Sequence, residues 1–134
     1  MAGFGIDHLV LTVRDAARTI AFYEAALGIR GRREKGRAWL ELGSATAPQK
    51  INLHEEGREI APHAQRPMPG AGDFCLVAPE PLEVILTRLT AAGVSVELGP
   101  VERMGAAGPM RSLYFRDPDG NLVEVCEYPA SPFF

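Results

Sequence analysis

Two histidines and a glutamate stand out in this 134-residue chain because each occupies a place where a polar group is costly. His8 interrupts the apolar run IDHLVLTV. Neutral imidazole is a common ligand for first-row divalent metals, although a ring so placed can equally be a core histidine satisfied by a backbone carbonyl. His54 closes the segment INLH, where strand alternation sets Asn52 and His54 on one face and Ile51 and Leu53 on the other. Both polar groups then share one face, unless His54 is a strand end turned to solvent. Glu124 lies between Val123 and Val125, and a carboxylate on a mostly apolar strand is costly to bury unless it is paired or holds a cation. The third histidine, His63, sits in a polar stretch and reads as surface.

The elements that must position these groups follow from hydrophobic period. Residues 6–13 are rich in β-branched side chains and bounded by Arg14-Asp15, which predicts a strand. From Asp15 the spacing of Ala17, Ile20, Ala21, Tyr23 and Leu27 turns helical, with Asp15 as N-cap and Gly28 as stop. Three short strands are expected next, at about 29–34, 38–42 and 50–54. Residues 55–72 carry no usable period and are rich in Pro, Gly and charge, as a linker would be. The first pattern then returns. Residues 73–78 read as a strand, Pro81 to Ala92 as a helix with Pro at its first turn, and 94–98, 112–116 and 122–127 as strands. The turn Asp117-Pro118-Asp119-Gly120 joins the last two as a hairpin. Gly105 to Pro109 reads as a solvent loop that could cover a pocket as a lid.

The chain is therefore β-α-β-β-β, linker, β-α-β-β-β: module one at about 5–55, a linker at about 56–72, and module two at about 73–128, all in one domain over 1–134. Each half alone would expose an apolar sheet face, so the halves must pair, within the chain or across a dimer. An unrelated α+β sandwich fits the period alone as well as this duplication does.

Composition narrows the function classes. A net charge of −3 with scattered Lys and Arg gives no electrostatic footprint for nucleic acid. No run approaches the roughly 20 apolar residues of a membrane helix, and the first apolar stretch is too short and too polar for a secretion signal. Cys75 and Cys126 both lie in apolar runs, which predicts buried, reduced thiols. A cytoplasmic protein is the expectation.

The opening IDHLVLTVRD…FYEAALG and the closing YFRDPDGNLVEV resemble the two ends of domains of the glyoxalase / bleomycin-resistance / extradiol dioxygenase superfamily, also called vicinal oxygen chelate proteins. The resemblance spans almost the whole chain, and the segment KINLHEEGRE…QRPMPGAGD is similar to an uncharacterised glyoxalase-domain subgroup. It implies an α+β fold of two βαβββ modules forming a curved eight-stranded mixed sheet around a metal cleft. It implies ligands from the first and last strand of each module, which here would be His8, His54, Asp73 and Glu124. Asp73 departs from the His found there in most metal-binding relatives. Its shorter side chain would ligate directly, through water, or by orienting another ligand. This donor set suits Fe, Mn, Ni, Co or Zn.

The function so implied is a divalent-metal-dependent lyase or isomerase acting on a small oxygen-chelating substrate, with Glu124 as the catalytic proton shuttle. The alternatives are an extradiol-type dioxygenase and a metal-free protein that binds a small molecule or antibiotic. In fosfomycin-resistance transferases of this superfamily a similar SxYF segment binds substrate, which carries a substrate-binding role to Ser112 and Tyr114. Trp39 and Tyr23 read as core or rim packing. A homodimer is expected, with neither nucleic acid nor membrane as partner.

Overall fold

The structure is a computed structural model and describes residues 3–129. Strand β1 (His8–Val13) leads into helix α1 (Ala16–Leu27), followed by β2 (Gly31–Glu34), β3 (Arg37–Gly43) and β4 (Pro48–Glu55). After the 56–72 segment the order repeats as β5 (Asp73–Val77), α2 (Leu82–Ala91), β6 (Leu98–Gly105), β7 (Gly108–Arg116) and β8 (Leu122–Glu127). The punctuation is chemical. The Asp15 carboxylate accepts from Arg18 N at 3.1 Å at the head of α1, and Gly28 ends that helix in the left-handed region at φ 69°, where a residue without Cβ avoids strain. Pro81 stands at the N-cap of α2 rather than within its first turn.

The strands form two four-stranded sheets with the same order, β1-β4-β3-β2 and β5-β8-β7-β6, each parallel at its first pair and antiparallel beyond. The two modules and eight strands are those the sequence implies. Among the described residues, however, no strand of one sheet is hydrogen-bonded to a strand of the other, so β1 and β5 are both edge strands. One face of each sheet is covered by the helices. Leu40, Ile51, Leu113, Phe115, Val123 and Val125 lie there and are almost fully buried, as are Leu82, Ile85 and Leu89 of α2. Contacts between the halves run through this layer. Helix α1 packs on α2, and the Phe22 and Phe115 rings lie 6.1 Å apart.

The Asp117–Asn121 turn locks the halves together. Asp117 Oδ1 accepts from the backbone N–H of Asp119 at 2.9 Å and of Asn121 at 3.0 Å. Its Oδ2 accepts from Tyr23 OH and from Asn121 Nδ2, both at 2.8 Å. Asn121 Oδ1 in turn accepts from Gly72 N at 2.7 Å. Tyr23 is thus a core residue, and the carboxylate beside it, after burial itself, drives its phenol pKa far up.

Three expectations need correction. Residues 94–97 are irregular, and β6 begins only at Leu98. The stretch expected as a solvent loop is a tight hairpin: Gly105 pairs with Gly108 across the turn at Ala106-Ala107, and Ala107 N donates to Tyr128 OH at 3.2 Å. Its glycines read as loop signals, yet two glycines flanking two residues also close a hairpin. Finally, Cys126 is buried but Cys75 is exposed, because an edge strand with one uncovered face leaves its outward residues open. No helix among the described residues is long and apolar enough to cross a membrane.

Candidate functional site

Strand alternation decides what the uncovered faces carry. On the first sheet the helix-facing residues are Leu11, Leu40, Ile51 and Leu53, so His8, Trp39, Lys50, Asn52 and His54 share the opposite face. The register sets His8 beside Lys50, Val10 beside Asn52 and Thr12 beside His54, with Trp39 on the other side of Asn52. On the second sheet Cys75 pairs with Glu124 and Glu124 with Tyr114. Asp73 pairs with Leu122, and Ser112 with Cys126. Hence Asp73, Glu124, Ser112 and Tyr114 share one uncovered face.

The ligand types expected from the sequence are therefore placed as two sets: His8 with His54 on one sheet, Asp73 with Glu124 on the other. Among the described residues no three His, Cys, Asp or Glu side chains within the chain converge on one point. The sequence expectation of a four-residue centre is not met inside a single copy, because the uncovered faces belong to sheets that do not join.

The helix caps sharpen the comparison between the halves. Glu55, the last residue of β4, accepts at Oε2 from Ala16 N at 2.9 Å, capping α1. Glu127, the last residue of β8, accepts at Oε2 from Leu82 N at 3.2 Å, capping α2. These two carboxylates are counterparts in the duplication. Three residues before them stand Asn52 and Glu124, while His54 matches Cys126. Asn52, not His54, is thus the positional equivalent of Glu124, as His8 is of Asp73 at the start of β1 and β5. The signal was in the sequence, in the parallel phrasing of NLHE and EVCE.

Local chemistry distinguishes the candidates. His8 Nδ1 lies 2.7 Å from Asp7 Oδ1; in the neutral ring whose Nδ1–H donates to this carboxylate, Nε2 carries the free lone pair. A carboxylate that fixes the tautomer in this way is the usual support of a metal-ligating imidazole. His54 has its pKa lowered by burial and then by the nearby Arg37 charge, which keeps it neutral at pH 7. It lines a cavity of about 210 Å³ with Val10, Thr12, Pro62, His63 and Asn121. His63, read as surface, is exposed but approaches this cavity from the 56–72 segment.

Glu124 is the least satisfied of the four. Its Oε2 is buried and has no hydrogen-bond partner, and an unpaired buried carboxylate oxygen is costly. The Ser112 hydroxyl oxygen on the same face is likewise buried and unpartnered. Cys75 lies against Glu124; although the residue is open to solvent on one side, partial burial of its sulfur, followed by Cys126 and Glu124, pushes its thiol pKa above the ordinary value. It is therefore a poor nucleophile at neutral pH.

Two copies of a βαβββ unit, with histidine and carboxylate on uncovered sheet faces, define a paired-module protein of the vicinal-oxygen-chelate type. Comparison of the sequence bears this out: the chain belongs to the Glyoxalase/Bleomycin resistance protein/Dioxygenase superfamily, whose family model matches residues 5–125. The chain is 47% identical to virulence protein STM3117 of Salmonella typhimurium over 124 residues, covering 92% of this chain and 83% of that protein. The crystal structure of that protein superposes with a TM-score of 0.88 over 96% of this chain and 100% of the other. The glyoxalase domain-containing protein RDO1 of Mycosarcoma maydis is 44% identical over 92% of this chain and 68% of its own length. A lactoylglutathione lyase from Agrobacterium tumefaciens matches at a TM-score of 0.67 and 26% identity, over 95% of this chain and 96% of that one.

Proposed function

We propose that this protein is a divalent-metal-dependent enzyme of lyase or isomerase type, acting as a homodimer on a small substrate with two adjacent oxygens. The observation that carries the reading is the buried, unpartnered Oε2 of Glu124 on an uncovered sheet face. A bound cation would satisfy that oxygen, and the Asp7-oriented ring of His8 offers a second donor of matching type. His8, Asp73 and Glu124 are the residues proposed to hold the metal, with Asn52 as the positional counterpart of Glu124. His54, level with Thr12 and four residues along the strand from the level of His8, stands roughly 13 Å from it and lines a separate cavity instead.

Dimerisation supplies what one chain lacks. Val10, Val77 and Leu98 lie on the uncovered faces at 46%, 64% and 46% exposure, and the β1 and β5 edges are unpaired. Apolar faces and open edges of this kind are what a second copy covers. Donors stranded on separate faces would then meet across the two-fold.

A metal held there would supply Lewis-acid polarisation of the substrate oxygens. Tyr114 and Ser112 hydroxyls would bind and orient the substrate beside Glu124, and the Glu124 carboxylate would take and return the proton at the adjacent carbon. Closure by the second copy would exclude water from this step.

The test is metal analysis of protein purified without chelator, together with melting curves in the presence of Fe, Mn, Ni, Co or Zn. Binding of about one equivalent per chain, with a rise in melting temperature, is expected. Less than about a tenth of an equivalent and no thermal gain with any of these ions would overturn the enzyme reading.

A further inference from the structure

We propose that the cavity between the first sheet and the 56–72 segment is a second binding site, for a small organic monocarboxylate, separate from the proposed metal cleft. Its walls come from distant parts of the chain. Thr12 and His54, side by side in the β1–β4 register, form one wall with Val10. His63, Arg66 and Met68 of the 56–72 segment form the other, and the volume between them is about 210 Å³. His8, Asp73 and Glu124 do not line it. The second wall is anchored. Gly72 N donates to Asn121 Oδ1 at 2.7 Å, and the Gly72 carbonyl accepts from Leu122 N at 3.0 Å. Gly70 runs so close to the Asp119 carbonyl that a Cβ would stand 2.7 Å from its oxygen. The segment is thus fastened to the turn that locks the two halves, which makes the void a fixed feature of the fold.

The charge of the lining is one-sided. Arg66, His54 and His63 are its titratable groups, and no carboxylate joins them. Arg66 belongs to none of the ion pairs among the described residues. Burial, then the Arg37 charge, and also that of His63 lower the His54 pKa. Glu59, whose charge opposes this, accepts from Gly57 N at 2.8 Å and stands outside the lining. A cleft of one sign with apolar walls concentrates ions of the opposite sign.

The donors select the ligand. Ring hydrogen bonds are made by His8 and His63 but, among the described residues, not by His54. A neutral imidazole carries one N–H, so His54 offers a donor with no partner inside the protein. Arg66 adds a planar fork that suits a carboxylate. One permanent cation matches one negative charge, and Val10 and Met68 give an apolar body something to rest on. Pockets for drug-sized molecules hold about 300–1,000 Å³, so this one takes a smaller molecule, of benzoate size.

The test is an NMR titration of the full-length protein in chelator at pH 7 and constant ionic strength, read at the ring C–H signals of the histidines. Benzoate should give saturable shifts at His54 and His63 and none at His8. Neutral benzamide and inorganic phosphate should give none at any of them. The dissociation constant should rise about tenfold or more in Arg66→Gln, since a hydrogen bond to a charged group is lost. It should stay unchanged in Arg58→Gln, outside the cavity, and in Glu124→Gln. No saturation by benzoate, an equal response to benzamide or phosphate, or an unchanged constant in Arg66→Gln would overturn the proposal. Shifts at His8, or a constant altered in Glu124→Gln, would put benzoate in the metal cleft and overturn it as well. Because the titration is run without metal, loss of the metal reading leaves this result standing.

Discussion

Glu124→Gln should reverse the order of stability between metal-free and metal-loaded protein. In the absence of metal the Glu124 side chain holds a buried carboxylate oxygen with no partner. Leaving such a group unsatisfied costs about 1–3 kcal/mol, and more when it is charged. The residue is only partly buried and its other oxygen is not orphaned, so part of this cost is relieved by solvent. Replacing the carboxylate by an amide of the same shape removes the charge, and Glu124→Gln in chelator should gain about 0.5–1.5 kcal/mol. With a divalent ion at about 100 times its dissociation constant the parent gains about 2.7 kcal/mol by mass action. The variant, lacking its anionic donor, should gain little. The parent would thus be the weaker of the two in chelator and the stronger in metal. Urea unfolding followed by circular dichroism, at one fixed protein concentration, reads both differences. A variant that is less stable than the parent in chelator by more than about 1 kcal/mol would refute the reasoning, since Glu124 would then be a satisfied structural residue. An undiminished metal gain in the variant would refute it from the other side.

Asp117→Asn should destabilise the fold by about 2–4 kcal/mol, because it sets an amide donor against Tyr23 OH and Asn121 Nδ2. Tyr23→Phe removes only one of the four bonds and should cost about 1.5 kcal/mol; the opposite ranking in urea melts would contradict this network. Gly99→Ala should cost about 2 kcal/mol, since φ is 111° and a Cβ would stand 2.5 Å from the Ser112 carbonyl. A melt unchanged from the parent would argue against that β6–β7 packing. The Arg111 guanidinium holds the Glu83 carboxyl below its ordinary 4.5, so the pair's contribution is present above that value and lost as pH falls through the lowered one. Arg111→Gln should flatten this acid-side slope in pH-dependent melts, and high salt should flatten it as well. A sizing experiment should give twice the mass of one chain, and a monomer at micromolar concentration would count against closure by a second copy.

Much of the architecture is legible because it is set by local chemistry. Asp15 and Gly28 bracket α1 wherever the chain goes, since a carboxylate satisfies free N–H groups and glycine tolerates φ 69°. Val94 and Val96 alternate like a strand, but the 94–97 stretch is irregular and their partial burial comes from packing against the hydrophobic core. The 105–109 segment departs from the loop expectation for the opposite reason. Glycines that look like freedom are there the flanks of a two-residue turn.

The candidate residues show the same division. Residue type and period alone mark His8, His54 and Glu124, because a polar side chain on an apolar strand is a departure that needs no coordinates to detect. Their relation to one another is a matter of register and of which face the helices cover. Register made Asn52 the counterpart of Glu124, set Tyr114 between Glu124 and Arg103, and left Cys75 open on an edge. It also separated the two pairs of donors onto sheets that do not join. A strand's pattern fixes which side chains share a face, but the sheet's neighbours are chosen by contacts between residues distant in sequence. That choice belongs to tertiary structure, and it decides whether four well-chosen donors can meet.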